Sequence, residues 1–93
     1  MPVKRISITI TGRVQGVGYR YFAEDAANEL GVYGWVRNSY DRTVECEAQA
    51  EESVLKEFVE KLRTDPALSK AKDVFTVELP SIETQDRQFE ITG

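Results

Sequence analysis

The sequence contains no histidine and a single cysteine, Cys46. Without histidine the chain lacks the side chain most used as a general base near neutral pH, and no Ser-His or Cys-His nucleophile can be built. One cysteine excludes an internal disulfide and fits a reducing compartment. Together with the missing histidines it excludes a zinc site of the common kind, so neither a metal nor a cofactor is expected. Long apolar runs are also missing; nothing approaches the roughly 18 residues that a membrane helix needs. The opening Met1-Pro2-Val3-Lys4-Arg5 has neither the apolar core nor the cleavage site of a signal peptide. A cytoplasmic protein with no membrane partner is therefore expected. An excess of positive charge is absent too. The formal charge is −4, the basic residues are scattered, and the middle of the chain (Glu45, Glu47, Glu51, Glu52) is acidic. That balance argues against a nucleic-acid partner, because phosphate neutralisation dominates such affinities. Chemistry carried out by such a chain must rest on positioning and charge.

What is present is enough for one domain spanning residues 1–93, with a monomer as the default state. Hydrophobic residues make up 41% and charged residues 30%, which fits a globular fold and excludes disorder. Ile6, Ile8 and Ile10 alternate with Ser7, Thr9 and Thr11, which predicts a half-buried strand over residues 4–11. From about Tyr21 the period lengthens: Phe22, Ala23, Ala26, Ala27 and Leu30 fall on one helical stripe, and Gly31 is placed to end the helix in the left-handed conformation. Strands are predicted over 33–38 and 43–49, joined by Ser39-Tyr40-Asp41-Arg42 as a hairpin. A second helix over 51–64 carries Val54, Leu55, Phe58, Val59 and Leu62 on one stripe and ends at Asp65-Pro66. Val74 to Leu79 reads as a fourth strand, and Phe89-Glu90-Ile91 is a candidate for a short fifth. The order β-α-β-β-α-β predicts an α+β, ferredoxin-like, two-layer sandwich, with two helices on one face of an antiparallel sheet.

The segment Gly12-Arg13-Val14-Gln15-Gly16-Val17-Gly18 places three glycines between a strand and a helix. Such a turn lets backbone N–H groups converge, and the helix N-terminus adds partial positive charge. Arg20 can contribute a forked, permanently charged pair of donors to a phosphate. The spacing is neither the dinucleotide fingerprint nor the nucleotide P-loop. On spacing alone, an anion cradle and a plain strain-relieving turn both fit.

Read through to Tyr19 and Arg20, this loop closely resembles the signature of the acylphosphatase family. A second segment of that family follows at the right distance: Gly34-Trp35-Val36-Arg37-Asn38, then Asp41 and Thr43-Val44-Glu45. The resemblance covers nearly the whole chain. It implies an enzyme that hydrolyses the carboxyl–phosphate bond of a small-molecule acyl phosphate, with inorganic phosphate as product and inhibitor. It also implies catalytic roles for Arg20, which would bind phosphate, and Asn38, which would position the attacking water. The phosphate cradle would comprise Gln15, Gly16, Val17, Gly18, Tyr19 and Arg20. Arg42 departs from the family, which commonly has glycine there; Ala50 and Asp65-Pro66 are further departures.

This chemistry suits a chain without histidine. The leaving carboxylate is stable near neutral pH and needs no general acid, so positioning and charge stabilisation suffice. Other residues have plainer readings. By position alone Asn38 is a turn former. Cys46 shares a face with Val44 and Ala48 and belongs to the core. Trp35, Tyr33 and Phe22 read as core or pocket wall, and Glu45 with Glu47 as a solvated strand face. One rival is an accessory acylphosphatase-like domain, such as that handling carbamoyl phosphate in larger hydrogenase-maturation enzymes; with Gly93 as the last residue, the free enzyme is expected. The other is an RNA-recognition module, whose open sheet face would carry aromatics where this chain has Ser7, Thr9, Glu45 and Glu47.

Overall fold

The structure, a computed structural model, describes residues 2–12, 18–64 and 73–92. Within these residues the elements run β1 (Val3–Thr11), α1 (Tyr19–Leu30), β2 (Tyr33–Asn38), β3 (Val44–Glu51), α2 (Glu52–Arg63), β4 (Asp73–Leu79) and β5 (Phe89–Ile91). α1 starts ahead of the expected Tyr21 because Tyr19 belongs to its apolar stripe, and Tyr19, Ala23, Ala26 and Ala27 are all buried. Gly31 ends α1 as expected, with φ 74° and its N–H bonded to the carbonyl of Ala27. α2 ends at Arg63, where the backbone N–H of Thr64 bonds back to Glu60 and Lys61. Asp65-Pro66, the expected stop, lies outside the described residues.

The sheet order is β4-β1-β3-β2-β5. β1 pairs antiparallel with β3 and β4, and β2 pairs antiparallel with β3. An antiparallel sheet was expected, and these four strands form one. β5 instead runs parallel to β2, with Gly34 opposite Phe89 and Val36 opposite Ile91, so the complete sheet is mixed. The cause is topological: residues 80–88 carry the chain from the β4 edge to the far edge, and β5 then runs in the direction of β2.

Ile8, Ile10, Val36, Val44, Cys46 and Ala48 face the helices and are fully or almost fully buried, with Leu55, Phe58 and Leu62 from α2 packed against them. Each large side chain buried this way contributes about 1.5–3 kcal/mol. The rings of Phe58 and Phe89 meet edge to face with centroids 5.8 Å apart, tying the fifth strand to α2.

The opposite face is held by polar contacts. Arg5 is buried there and donates from Nε to Oε1 of Glu47 at 2.9 Å and from Nη1 to Oε1 of Gln49 at 3.3 Å. Gln49 clamps the crossing segment: its Nε2 donates to the Ile82 carbonyl at 2.7 Å, and its Oε1 accepts the Ile82 N–H at 2.9 Å. Tyr33 and Trp35 share this face with Glu47 and Gln49, so they lie outside the helix-covered core. Glu45 and Glu47, expected as a solvated pair, are each ion-paired: Glu45 with Arg37 at 3.1 Å, Glu47 with Arg5.

Candidate active site

Because β1 and β2 are both antiparallel to β3, they run the same way and finish at the same end of the sheet. Ile10 and Asn38 both pair with Val44, so they occupy one row, two strand spacings or about 10 Å apart. The chain leaves β1 through Gly12 and re-enters the described structure at Gly18, the N-cap of α1. The topology thereby brings Arg20, in the first turn of α1, and Asn38, the last residue of β2, to one end of the domain.

The start of α1 is suited to an anion. Gly18 has φ 80°, a left-handed conformation that glycine adopts without strain, and as N-cap it supplies no side-chain cap. The first turn of α1 holds no acidic residue. α2 shows the opposite pattern, with Glu52 in its first turn and Lys61 and Arg63 in its last, each matched to the helix dipole. The positive end of α1 is therefore not neutralised by its own first turn. Arg20 is half-buried there. Tyr19, expected only as a backbone member of the cradle, buries its side chain in the core and donates its hydroxyl to the Leu62 carbonyl at 2.9 Å. The spacing of Tyr19 with Ala23, Ala26 and Ala27 carried that signal in the sequence. Gln15, Gly16 and Val17, the remaining expected cradle residues, lie outside the described residues, as do Arg13 and Val14.

Asn38 has the same strand parity as the fully buried Val36, which sets it on the helix-covered face. Its Oδ1 is buried and has no hydrogen-bond partner among the described residues. The turn that follows is built by other groups. Ser39 N–H donates to the Thr43 carbonyl at 2.8 Å and Arg42 N–H to the Ser39 carbonyl at 3.2 Å. The Asp41 carboxylate accepts from the Thr43 hydroxyl at 2.6 Å and from the Thr43 N–H at 3.2 Å, which holds the Asp41 carboxyl below its usual pKa. Arg42 has φ 71°, the left-handed position that closes this kind of hairpin loop. Cys46 is buried in the core, and desolvation pushes its thiol far up, which makes it a poor nucleophile.

A groove of about 390 Å³ lies between α2 and the strands β1 and β4, lined by Lys4, Ile6, Leu55, Val59 and Glu78 among others. It contains neither Arg20 nor Asn38. Lys4, from the opposite end of β1, is paired there with Glu52 at 2.9 Å and Glu78 at 3.6 Å. This groove is shape without convergent chemistry.

The α+β fold of this chain is that of a known class of small proteins. The family model described as Acylphosphatase matches residues 6–91. An acylphosphatase of Bifidobacterium longum (strain NCC 2705) is 44% identical over 85 residues, covering 91% of this chain and 88% of that protein. The crystal structure of acylphosphatase from Bacillus subtilis has a TM-score of 0.83 at 34% identity, covering 97% of this chain and 99% of that one. Full-length HypF in its phosphate- and nucleotide-bound form contains a similar portion, with a TM-score of 0.86 at 28% identity, covering 99% of this chain and 12% of that one. The chain belongs to the acylphosphatase family, and it is an enzyme of that family.

Proposed function

We propose that the chain hydrolyses the carboxyl–phosphate bond of small-molecule acyl phosphates at the end of the sheet shared by Arg20 and Asn38. The backbone N–H groups of residues 15–20 and the guanidinium of Arg20 bind the phosphate group and stabilise charge on its oxygens in the transition state. Asn38 holds a water in line with the leaving group. Attack of that water forms a new P–O bond as the bond to the carboxylate oxygen breaks. The proton lost by the water passes to a phosphate oxygen, and the products are a carboxylate and inorganic phosphate. Neither a metal nor a thiol takes part.

The observation that carries this reading is the buried Oδ1 of Asn38, which has no hydrogen-bond partner among the described residues. A buried acceptor without a hydrogen bond costs about 1–3 kcal/mol, and a water at this position both satisfies it and is oriented by it. The glycine N-cap and acid-free first turn of α1 support an anion at the same end of the domain. A second reading, a non-catalytic domain that binds carbamoyl phosphate within a larger assembly, draws on the similarity to part of HypF. Hydrolysis of benzoyl phosphate by the purified chain, with and without EDTA, separates the two. Turnover indifferent to EDTA is expected, with inorganic phosphate as a competitive inhibitor. Arg20→Ala should lower the rate on the order of 10²–10³-fold. Near-normal activity in that variant, or inactivation by EDTA that a divalent cation restores, would sink the mechanism. We place the enzyme in the cytoplasm as a monomer.

A further inference from the structure

We propose that the hydroxyl of Tyr19 is a positioning group for phosphate binding at the first turn of α1, which it fixes by capping the far end of α2. The proposal rests on the functional reading above. Tyr19 directly precedes Arg20 and follows Gly18, at the junction of the glycine loop and the helix. Its side chain is 1% exposed, and the hydroxyl donates to the backbone carbonyl of Leu62 at 2.9 Å.

That carbonyl belongs to the last turn of α2, where helix geometry leaves the carbonyls without intrahelical donors. Thr64 serves its neighbours, bonding the Glu60 carbonyl through its N–H at 3.1 Å and its hydroxyl at 2.9 Å, and the Lys61 carbonyl through its N–H at 3.3 Å. Leu62 instead takes its donor from the other helix. Gly18, the N-cap of α1, offers no side-chain cap and is conformationally permissive. The Tyr19 ring, 5.9 Å from the ring of Phe22, sets the lateral position of the turn. The hydroxyl adds a directional bond that sets its height and rotation. The amides of Tyr19 and Arg20 and the root of the Arg20 side chain then point where α2 dictates. Small misplacements of such groups are costly, because binding and catalysis depend on support behind the contacting atoms.

Tyr19→Phe tests this, since it keeps the ring and removes one oxygen. The control is Thr64→Ala, which loosens the same end of α2 without touching α1. For the full chain and both variants, the dissociation constant of inorganic phosphate is measured by calorimetry, KM and kcat with benzoyl phosphate, and stability by urea unfolding. Tyr19→Phe is expected to weaken phosphate binding on the order of tenfold, with a matching rise in KM, the loss of about one buried hydrogen bond. Thr64→Ala should lower stability while leaving phosphate affinity within about twofold. Unchanged phosphate affinity in Tyr19→Phe, or equal weakening in both variants, overturns the proposal and leaves the hydroxyl a stability contact. A Tyr19→Phe chain that fails to fold does so as well. Failure of the unmodified chain to bind phosphate or turn over benzoyl phosphate would instead overturn the functional reading.

Discussion

Gly34 lies so close to the carbonyl of Glu47 on the neighbouring strand that a β-carbon at position 34 would overlap the Glu47 oxygen. Its φ of 148° is also one that side-chain-bearing residues rarely adopt. Backbone atoms of a central strand cannot yield as a flexible side chain could. Gly34→Ala should therefore destabilise the domain by about 3 kcal/mol or more, read as a lower urea midpoint. A variant within about 1 kcal/mol of the parent would mean that β2 and β3 can part without cost.

Asn38→Ala separates stability from activity. It removes a buried acceptor that no described residue satisfies and that, on the reading above, bonds only to water, so stability should change by less than about 1 kcal/mol. The rate constant kcat should fall about 10²-fold or more, while phosphate affinity stays nearly unchanged, because a water-orienting group acts mainly in the transition state. Loss of phosphate inhibition together with turnover would assign Asn38 to the anion or to the fold.

Arg42, at φ 71°, carries the strain that a glycine would avoid. A left-handed residue other than glycine costs about 1–2 kcal/mol, and glycine's greater unfolded-state freedom returns part of that. Arg42→Gly should stabilise the protein by about 0.5–1 kcal/mol and leave KM unchanged. A rise in KM that fades at high salt would instead place the Arg42 charge in substrate attraction.

Asp41 gives the hairpin an acid limit. Its bonds to Thr43 lower the carboxyl pKa in the folded state. The unfolded chain thus binds this proton more readily, and the contribution is present in full above the unfolded value of about 4. It is lost as pH falls through the folded value. Asp41→Asn should make the loss of stability below about pH 4 shallower, as followed by urea unfolding at a series of pH values. An unchanged acid slope would show that the hairpin carboxylate adds nothing measurable.

The strands and helices could be read from residue periodicity because their burial is one-sided: Ile8 and Ile10, or Leu55, Phe58 and Leu62, leave the mark of the face they cover. What periodicity misses is set by contacts distant in sequence. The parallel course of β5 depends on the path of residues 80–88, which the Gln49 clamp on Ile82 secures from another strand. The ion pairs of Glu45 and Glu47 depend on Arg37 and Arg5, which strand pairing brings alongside. At the site, Arg20 and Asn38 could be named by resemblance, and topology explains why they share one end of the sheet. The burial of the Asn38 oxygen and the reach of Tyr19 to Leu62 were invisible, since each depends on three-dimensional packing against another element.

The placement of β5 bears on when the enzyme becomes whole. β2 carries Asn38 at its end, yet one flank of that strand is completed only by Phe89–Ile91, with Gly34 N–H bonded to the Gln88 carbonyl at 3.0 Å and Thr92 N–H to the Val36 carbonyl at 2.9 Å. During synthesis these residues emerge after β1, α1, β2 and β3 are all available to pair. Contacts so remote in sequence are slow to close and leave a sheet edge uncovered meanwhile. A nascent chain lacking residues 80–92 would hold Arg20 and Asn38 and still leave one flank of β2 open, so the proposed activity should arrive with this segment and not with those two residues.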